Sequence, residues 1–175
     1  WSEPFKIFEV GGHTEVVITP DDSIRIVHFF RDYNYNVEKS EFRSGKAREH
    51  IESAWTEPET IHECADFWGP PALAVNSQNK LYYFYFTDSH RINYIYRENG
   101  EWSEPAQYND LSTGSFYVKI DKNDILHMIQ GCSNYAMKYS QFSTITDSII
   151  SEPQTTSYGL YDLKLDIDSE GMAHI

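Results

Sequence analysis

Two cysteines, Cys64 and Cys132, are all that the 175 residues contain. That excludes a disulfide-dense framework, and the strict geometry of a bridge leaves two free or buried thiols as the expectation. Basic residues are also scarce: 14 Lys and Arg face 27 Asp and Glu, a formal net charge of −13. Such a surface repels phosphate backbones and anionic lipid, so nucleic acid is excluded as a partner. No apolar run approaches the ~18 residues that a spanning helix needs, and no insertion into a membrane is expected. The N-terminus shows neither a basic region nor an apolar signal core. The chain opens on Trp1 rather than Met, which implies an upstream segment removed and leaves secretion open. Convincing helical periodicity is missing throughout.

What is abundant is aromatic: 15% of residues, with 13 Tyr and 10 Phe, beside an ordinary 40% hydrophobic content. Aromatic side chains favour pleated strands, and the length suffices to bury a core without staples.

Four related tetrapeptides punctuate the chain: Trp1-Ser2-Glu3-Pro4, Trp55-Thr56-Glu57-Pro58, Trp102-Ser103-Glu104-Pro105 and a degenerate Ile150-Ser151-Glu152-Pro153. Their first residues are 54, 47 and 48 positions apart. A recurrence of that length marks a stacked or radial repeat whose unit cannot bury its apolar face alone. Within a period the same strand signals return in order, here called a, b, c and d. The third period reads Phe116–Ile120, the turn Asp121-Lys122-Asn123-Asp124, Ile125–Ile129, the turn Gly131-Cys132-Ser133-Asn134 and Met137–Phe142. Asp and Asn suit such turns because they tolerate left-handed backbone and bond nearby amides. The Ser-Glu-Pro segment then opens strand d, where Pro fits an edge because it donates nothing to a ladder.

The second period repeats this with Ala72–Val75, Leu81–Phe86 and Ile92–Tyr96, and Asn99-Gly100 makes a hairpin to Trp102. The first has Glu15–Ile18 and Ile24–Val27, with an insertion expected near Ser44-Gly45-Lys46, and the last has Leu163–Ile167 and Met172–Ile175. The expected fold is therefore all-β: a β-propeller of about three and a half four-stranded antiparallel blades. The blades are drawn at 10–61, 62–109 and 110–156, with a partial blade 157–175 completed by or adjoining strand 1–9. The stop inside strand b favours a partial propeller and leaves an open edge, so self-association or continuation in a longer chain is expected.

These motifs carry a resemblance. The turn Asp168-Ser169-Glu170-Gly171 followed by His174, and its near copy from Asp121 to His127, combine with Trp-Ser-x-Pro on strand d. In this the chain resembles bacterial and fungal β-propellers, the style shared by sialidase-like propellers and by lectins that bind fucose or N-acetylglucosamine. The sialidase Asp-box lies between strands c and d and carries a Trp that these turns lack, so no sialidase residue is carried over. Trp1, Trp55, Trp102, Asp121, His127, Asp168, Gly171 and His174 are read as structural members of the repeat. The Trp residues are expected to pack between blades, and the His residues to hydrogen-bond within them.

In a propeller the d–a and b–c loops share one face. The d–a loops hold Gly11-Gly12-His13, His62 to Gly69, Asn109-Asp110 and Ser157-Tyr158-Gly159, and the b–c loops hold Arg31 to Asn36, Asp88 to Arg91 and Cys132 to Tyr135. Rings offer a platform to a sugar face while carboxylates and amides bond its hydroxyls. The candidate ligand residues are Asp32, Tyr33, Tyr35, Asp66, Trp68, Asp88, His90, Arg91 and Tyr135. His62, Glu63, Cys64 and Asp66 form the densest group of possible metal ligands but match no known spacing, so no metal or other cofactor is expected. Asp88, Ser89 and His90 are adjacent members of a triad with no sign that they meet. The leading reading is a non-catalytic module, extracellular or at the cell surface, that binds a glycan or a protein partner. One alternative is a glycoside hydrolase or lyase using Asp32, Asp66, Asp88 and Asp110. Another is an assembly scaffold.

Overall fold

The computed structural model describes residues 12–32, 37–46, 55–64, 69–87, 91–108, 113–132, 136–158 and 164–175. Among them there are fifteen strands and no helix. The chain forms two compact units that divide after residue 67. The first holds one four-stranded antiparallel sheet, ordered β1 (His13–Ile18), β2 (Ser23–Asp32), β3 (Val37–Lys46) and β4 (Glu59–Cys64).

The second unit repeats the meander. Its first sheet runs β5 (Ala72–Val75), β6 (Leu81–Phe86), β7 (Ile92–Glu98), and then two short strands that both pair with β7: β8 (Glu101–Trp102) and β9 (Ala106–Gln107). Those two are one strand d, interrupted at Ser103-Glu104-Pro105 because Pro105 has no N–H to offer. The next sheet is β10 (Thr113–Ile120), β11 (Ile125–Cys132), β12 (Ala136–Ser143) and β13 (Ser148–Tyr158). A hairpin of β14 (Asp166–Ile167) and β15 (Ala173–His174) follows.

The turns between strands a and b are one device used four times. In each, the N–H of the first residue bonds the carbonyl four positions on, and the N–H three positions on returns to the first carbonyl. The pairs are Thr19 with Ser23 and Asp22, Asn76 with Lys80 and Asn79, Asp121 with Ile125 and Asp124, and Asp168 with Met172 and Gly171. The fourth residue of each is left-handed: Asp22 at 59°, Asn79 at 63°, Asp124 at 60° and Gly171 at 89°. Asn, Asp and Gly stand there because other residues resist positive φ. In three of the four, the first residue's Oδ1 also accepts two backbone N–H groups. Asn76 takes those of Gln78 and Lys80, Asp121 those of Asn123 and Ile125, and Asp168 those of Glu170 and Met172. The first turn substitutes Thr19, whose hydroxyl bonds Asp21 and the Ser23 carbonyl.

Cores form between successive sheets of the second unit. Tyr82, Phe84, Phe86 and Tyr94 of one sheet share a cluster with Phe116, Leu126, Met128 and Phe142 of the next. Their rings meet edge to face, as Phe142 does with Tyr82 and Tyr94, an arrangement that the ring quadrupole favours. Ile129 and Met137 of the β10–β13 sheet in turn meet Leu165, with Ile167 and Ala173 packed against them. In the first unit Val27, Phe29, Phe30 and Phe42 are buried.

Several strand ends lie farther out than the residue types suggest. His13 opens β1, Arg31 and Asp32 close β2, His62, Glu63 and Cys64 belong to β4, Cys132 to β11, and Ser157 and Tyr158 to β13. Their residue types suggest loops, but the backbone of each continues the strand it adjoins. Ser44, Gly45 and Lys46 likewise lie inside β3, where Gly45 pairs with Ile24 and its missing Cβ admits the Trp55 ring.

Candidate functional site

In an antiparallel meander the start of strand a, the b–c connection and the end of strand d fall at the same end of the sheet. Each of the three four-stranded sheets therefore brings its own d–a and b–c segments together. In the first sheet this end carries His13, Asp32, Val37, Glu38 and Cys64, with Asp32 opposite Val37 and Glu38 opposite Cys64. His13 Nε2 lies 2.8 Å from Glu15 Oε1. His62 and Glu63 are successive strand residues and project to opposite faces, and Glu63 faces Lys39 at 3.4 Å. Of the other two residues in that candidate metal group, Cys64 is placed through its backbone and Asp66 lies outside the described residues. Among the described residues no three His, Cys, Asp or Glu side chains are grouped to hold an ion.

In the β5–β9 sheet the same end is better furnished. Thr87 donates its backbone N–H to the Arg91 carbonyl at 2.9 Å, and its hydroxyl accepts the Arg91 N–H at 3.3 Å, closing the base of the b–c loop. The Arg91 side chain is exposed. Phe86, at the end of β6, meets Phe116 edge to face at 4.9 Å. A Cβ on Gly69 would stand 2.7 Å from the Phe86 ring, so only glycine lets the backbone approach it. The residue that follows Trp68 in sequence thus rests against the Phe86 ring. In the β10–β13 sheet, Cys132 is a free, half-buried thiol whose pKa burial pushes up.

Of the nine candidate ligand residues, Arg91 is described with its side chain, and Asp32 is placed at the end of β2 through its backbone. Tyr33, Tyr35, Asp66, Trp68, Asp88, His90 and Tyr135 lie outside the described residues, as do Asp110, Ser89 and Trp1. Carboxylate separations for the hydrolase alternative fall there too.

The opposite end of the sheets holds polar clusters that residue type alone did not reveal. Lys80, almost wholly buried, sits 2.6 Å from Asp147 Oδ2 and 3.7 Å above the Tyr96 ring. Tyr82 donates to Asp147 Oδ1 at 2.6 Å and reaches the Thr144 carbonyl at 2.8 Å. Burial, then the hydrogen bond to Asp147, push the Tyr82 phenol far above its ordinary pKa. Thr144 bonds Asn76 and the Asp124 carbonyl, and Asp124 takes the Ser77 N–H and hydroxyl at 2.7 and 2.6 Å. These contacts rivet one sheet's a–b turn to the next sheet. No local pattern announces them, since Lys80 and Asp147 are 67 positions apart.

His127 Nδ1 lies 2.6 Å from the Tyr139 hydroxyl, and its Nε2 lies 3.5 Å from Asp121 Oδ2. Burial raises the Asp121 pKa, but the N–H groups of Ile125 and Asn123 outweigh it and hold the carboxyl below its usual range. His174 and Asp168 make the same pair in the open, with Nε2 to Oδ2 at 2.9 Å. The Trp55 ring lies on Gly45 of its own sheet, and the Arg97 guanidinium lies 5.4 Å from the Trp102 ring.

Neither a protein-family model nor a curated protein sequence matches the chain. In three dimensions it is similar to a fucose lectin from Kordia zhangzhouensis, solved in complex with methyl-fucoside. The TM-score is 0.50 at 10% identity, over 83% of this chain and 99% of that one. At that identity the likeness is one of all-β fold.

Proposed function

We propose that the chain is a carbohydrate-binding module of propeller type, acting outside the cell or at its surface, that takes a glycan on the loop end of its sheets. One observation carries the reading. Repeated four-stranded antiparallel sheets, in a fold similar to that of a lectin, have the start of strand a and the end of strand d at the end of the sheet where b gives way to c, and the sequence there is rich in aromatic, acidic and cationic residues. Trp68, Tyr33, Tyr35 and Tyr135 supply apolar platforms for a pyranose face, while Asp32, Asp66, Asp88, His90 and Arg91 bond its hydroxyls. Arg91 is the member whose surroundings support this most directly: exposed, with its backbone clamped to Thr87, the residue after Phe86, whose ring is held edge to face by Phe116. A rigid base of this kind lowers the entropic cost of binding.

The test is a glycan array followed by calorimetry, with methyl-fucoside as the first probe and galactosides and N-acetylglucosamine beside it. Binding that falls at least tenfold in Trp68→Ala and Arg91→Ala, with an unchanged melting temperature, supports the reading. An array without a ligand, together with hydrolysis of a glycoside panel, overturns it in favour of an enzyme.

A further inference from the structure

Five asparagines lie among the described residues: Asn76, Asn79, Asn93, Asn99 and Asn123. An asparagine can modify itself, because the backbone nitrogen of the next residue can attack its side-chain Cγ. The reaction is fastest where that N–H is unbonded, its residue is small and the chain is free to bend. In four of the five the attacking nitrogen is engaged. The Ser77 N–H, after Asn76, donates to Asp124 Oδ1 at 2.7 Å, and the Lys80 N–H, after Asn79, donates to Asn76 Oδ1 at 2.9 Å. The Asp124 N–H, after Asn123, returns to the Asp121 carbonyl at 3.1 Å. Tyr94, after Asn93, lies within β7, paired with Phe84 on one side and Ala106 on the other.

Asn99 differs on every count. Gly100 follows it, the two make the whole connection between β7 and β8, and both are exposed. No acceptor among the described residues takes the Gly100 N–H, and a Cβ built there would meet nothing within 4 Å. The turn is tight, with φ of 53° at Asn99 and 89° at Gly100, so the attack needs it to open. Little resists that opening. β8 is two residues long and joins β7 through the pairs Arg97–Trp102 and Glu98–Glu101. The second pair sets two carboxylates opposite each other, and like charges so placed weaken a ladder. Beyond it, the two bonds between Ser103 and Tyr96 confine the opening to this end of the hairpin. Such an exposed, thinly paired end opens far below the cost of global unfolding.

We propose that Asn99 is a site of spontaneous self-modification, which loosens the outer strand of this sheet as the protein ages. The Gly100 nitrogen bonds to Asn99 Cγ, the Cγ–Nδ2 bond breaks, and the side-chain nitrogen departs as ammonia with the proton that Gly100 gave up. A five-membered succinimide remains. Water then adds to one of its two carbonyl carbons and cleaves that carbon's bond to the Gly100 nitrogen. Cleavage at Cγ gives aspartate with the original backbone, and cleavage at the Asn99 carbonyl carbon gives isoaspartate, whose backbone runs through Cβ and Cγ. Either product sets a new carboxylate between Glu98 and Glu101. Isoaspartate also inserts an extra backbone carbon into the turn, so the register that pairs Trp102 with Arg97, its guanidinium 5.4 Å from the indole, no longer fits.

The test keeps the whole folded chain in warm, mildly alkaline buffer and follows each asparagine by digestion and mass spectrometry, with a sample unfolded in urea beside it. Asn99 should convert at least about tenfold faster than Asn76, Asn79, Asn93 or Asn123 in the folded chain, a barrier lower by ~1.4 kcal/mol. Both aspartate and isoaspartate should form, with ammonia released in step. The isoaspartyl form, separated by ion exchange, should show faster amide exchange at Glu101 and Trp102 than Asn99→Asp, which carries the new charge without the extra carbon. Asn99→Gly, whose Gly-Gly pair suits the same turn, should keep the hairpin and abolish the conversion. An Asn99 that survives in the folded chain while it reacts in urea overturns the proposal. So does another described asparagine that reacts first, or an isoaspartyl form whose Trp102 exchanges no faster than in the unmodified chain.

Discussion

Ser103 Oγ accepts the backbone N–H of Tyr96 at 3.0 Å, while the Ser103 N–H returns to the Tyr96 carbonyl at 2.8 Å. The serine side chain thus stands in for a ladder acceptor where strand d swings away towards Pro105. Thr56 Oγ1 does the same for Ser44 N–H at 3.0 Å, and Ser151 Oγ for Gln141 N–H at 3.0 Å. The second residue of the repeated tetrapeptide is a hydroxyl for this reason.

Removing that hydroxyl leaves a strand-c N–H short of an acceptor. Ser103→Ala, Thr56→Val and Ser151→Ala should each destabilise by about 1 kcal/mol, the net value of one such bond. Urea titrations of the three variants check it, and Ser103→Thr should restore most of the loss. Equal stability in all three would show that water replaces the side chain at no cost.

The order of the strands and the turns Asp121–Asp124 and Asp168–Gly171 were legible because each rests on local chemistry: alternation, left-handed Asp and Gly, and the Pro that interrupts strand d. The strand ends at Asp32, Cys64, Cys132 and Tyr158 were not, since residue types common in turns can also close a strand, and backbone pairing with the neighbouring strand decides where it stops. Equally hidden was the set of Lys80, Tyr82, Tyr96 and Asp147, whose pairing depends on how one sheet lies on the next. For the candidate site, residue types marked the loops but not their support. The seat of Gly69 on Phe86 comes from packing, which no spacing of residues encodes.

Tyr82 is the centre of that hidden set. Tyr82→Phe keeps the ring's contacts and removes a hydroxyl shared by Asp147 and the buried Thr144 carbonyl. A loss of about 1–3 kcal/mol follows from leaving such groups unsatisfied. Lys80→Met should act in the same direction by leaving Asp147 without its cation. The double variant tests coupling, because neighbours in one network give losses that do not add. Additive losses would mean that the two contacts are independent.

Gly45→Ala addresses the Trp55 contact. The added carbon would stand 2.8 Å from the indole, too close for any real Cβ, and the ring is held in the first sheet by Thr56 bonded to Ser44. Overpacking of this kind costs about 1–3 kcal/mol. Trp55 fluorescence should shift as the ring is displaced, and Trp55→Phe in the Gly45→Ala background should recover part of the stability. An unchanged spectrum and melting temperature would falsify the close packing.

The two Asp–His pairs make the pH prediction. The hydrogen bond from His174, followed by the Met172 N–H, holds Asp168 down to about 2. An unfolded aspartate titrates near ~3.9, so the folded form binds its proton less readily. A carboxyl depressed on folding contributes stability that is fully present above the unfolded value and is lost as pH falls through the folded one. For Asp168 that window runs from about 4 down to about 2, and Asp121, also depressed, weakens in the same direction. Carboxyl titration by NMR should find Asp168 still ionised at pH 3, and amide exchange in the β14–β15 hairpin should quicken below it. Asp168→Asn keeps an oxygen for the Glu170 and Met172 N–H groups but has no proton to gain, so its hairpin should lose the acid-induced step. His174→Ala should raise the Asp168 midpoint towards the unfolded value and move that step to higher pH. A wild-type midpoint near 4 would mean that the exposed pair at 2.9 Å does not persist in solution.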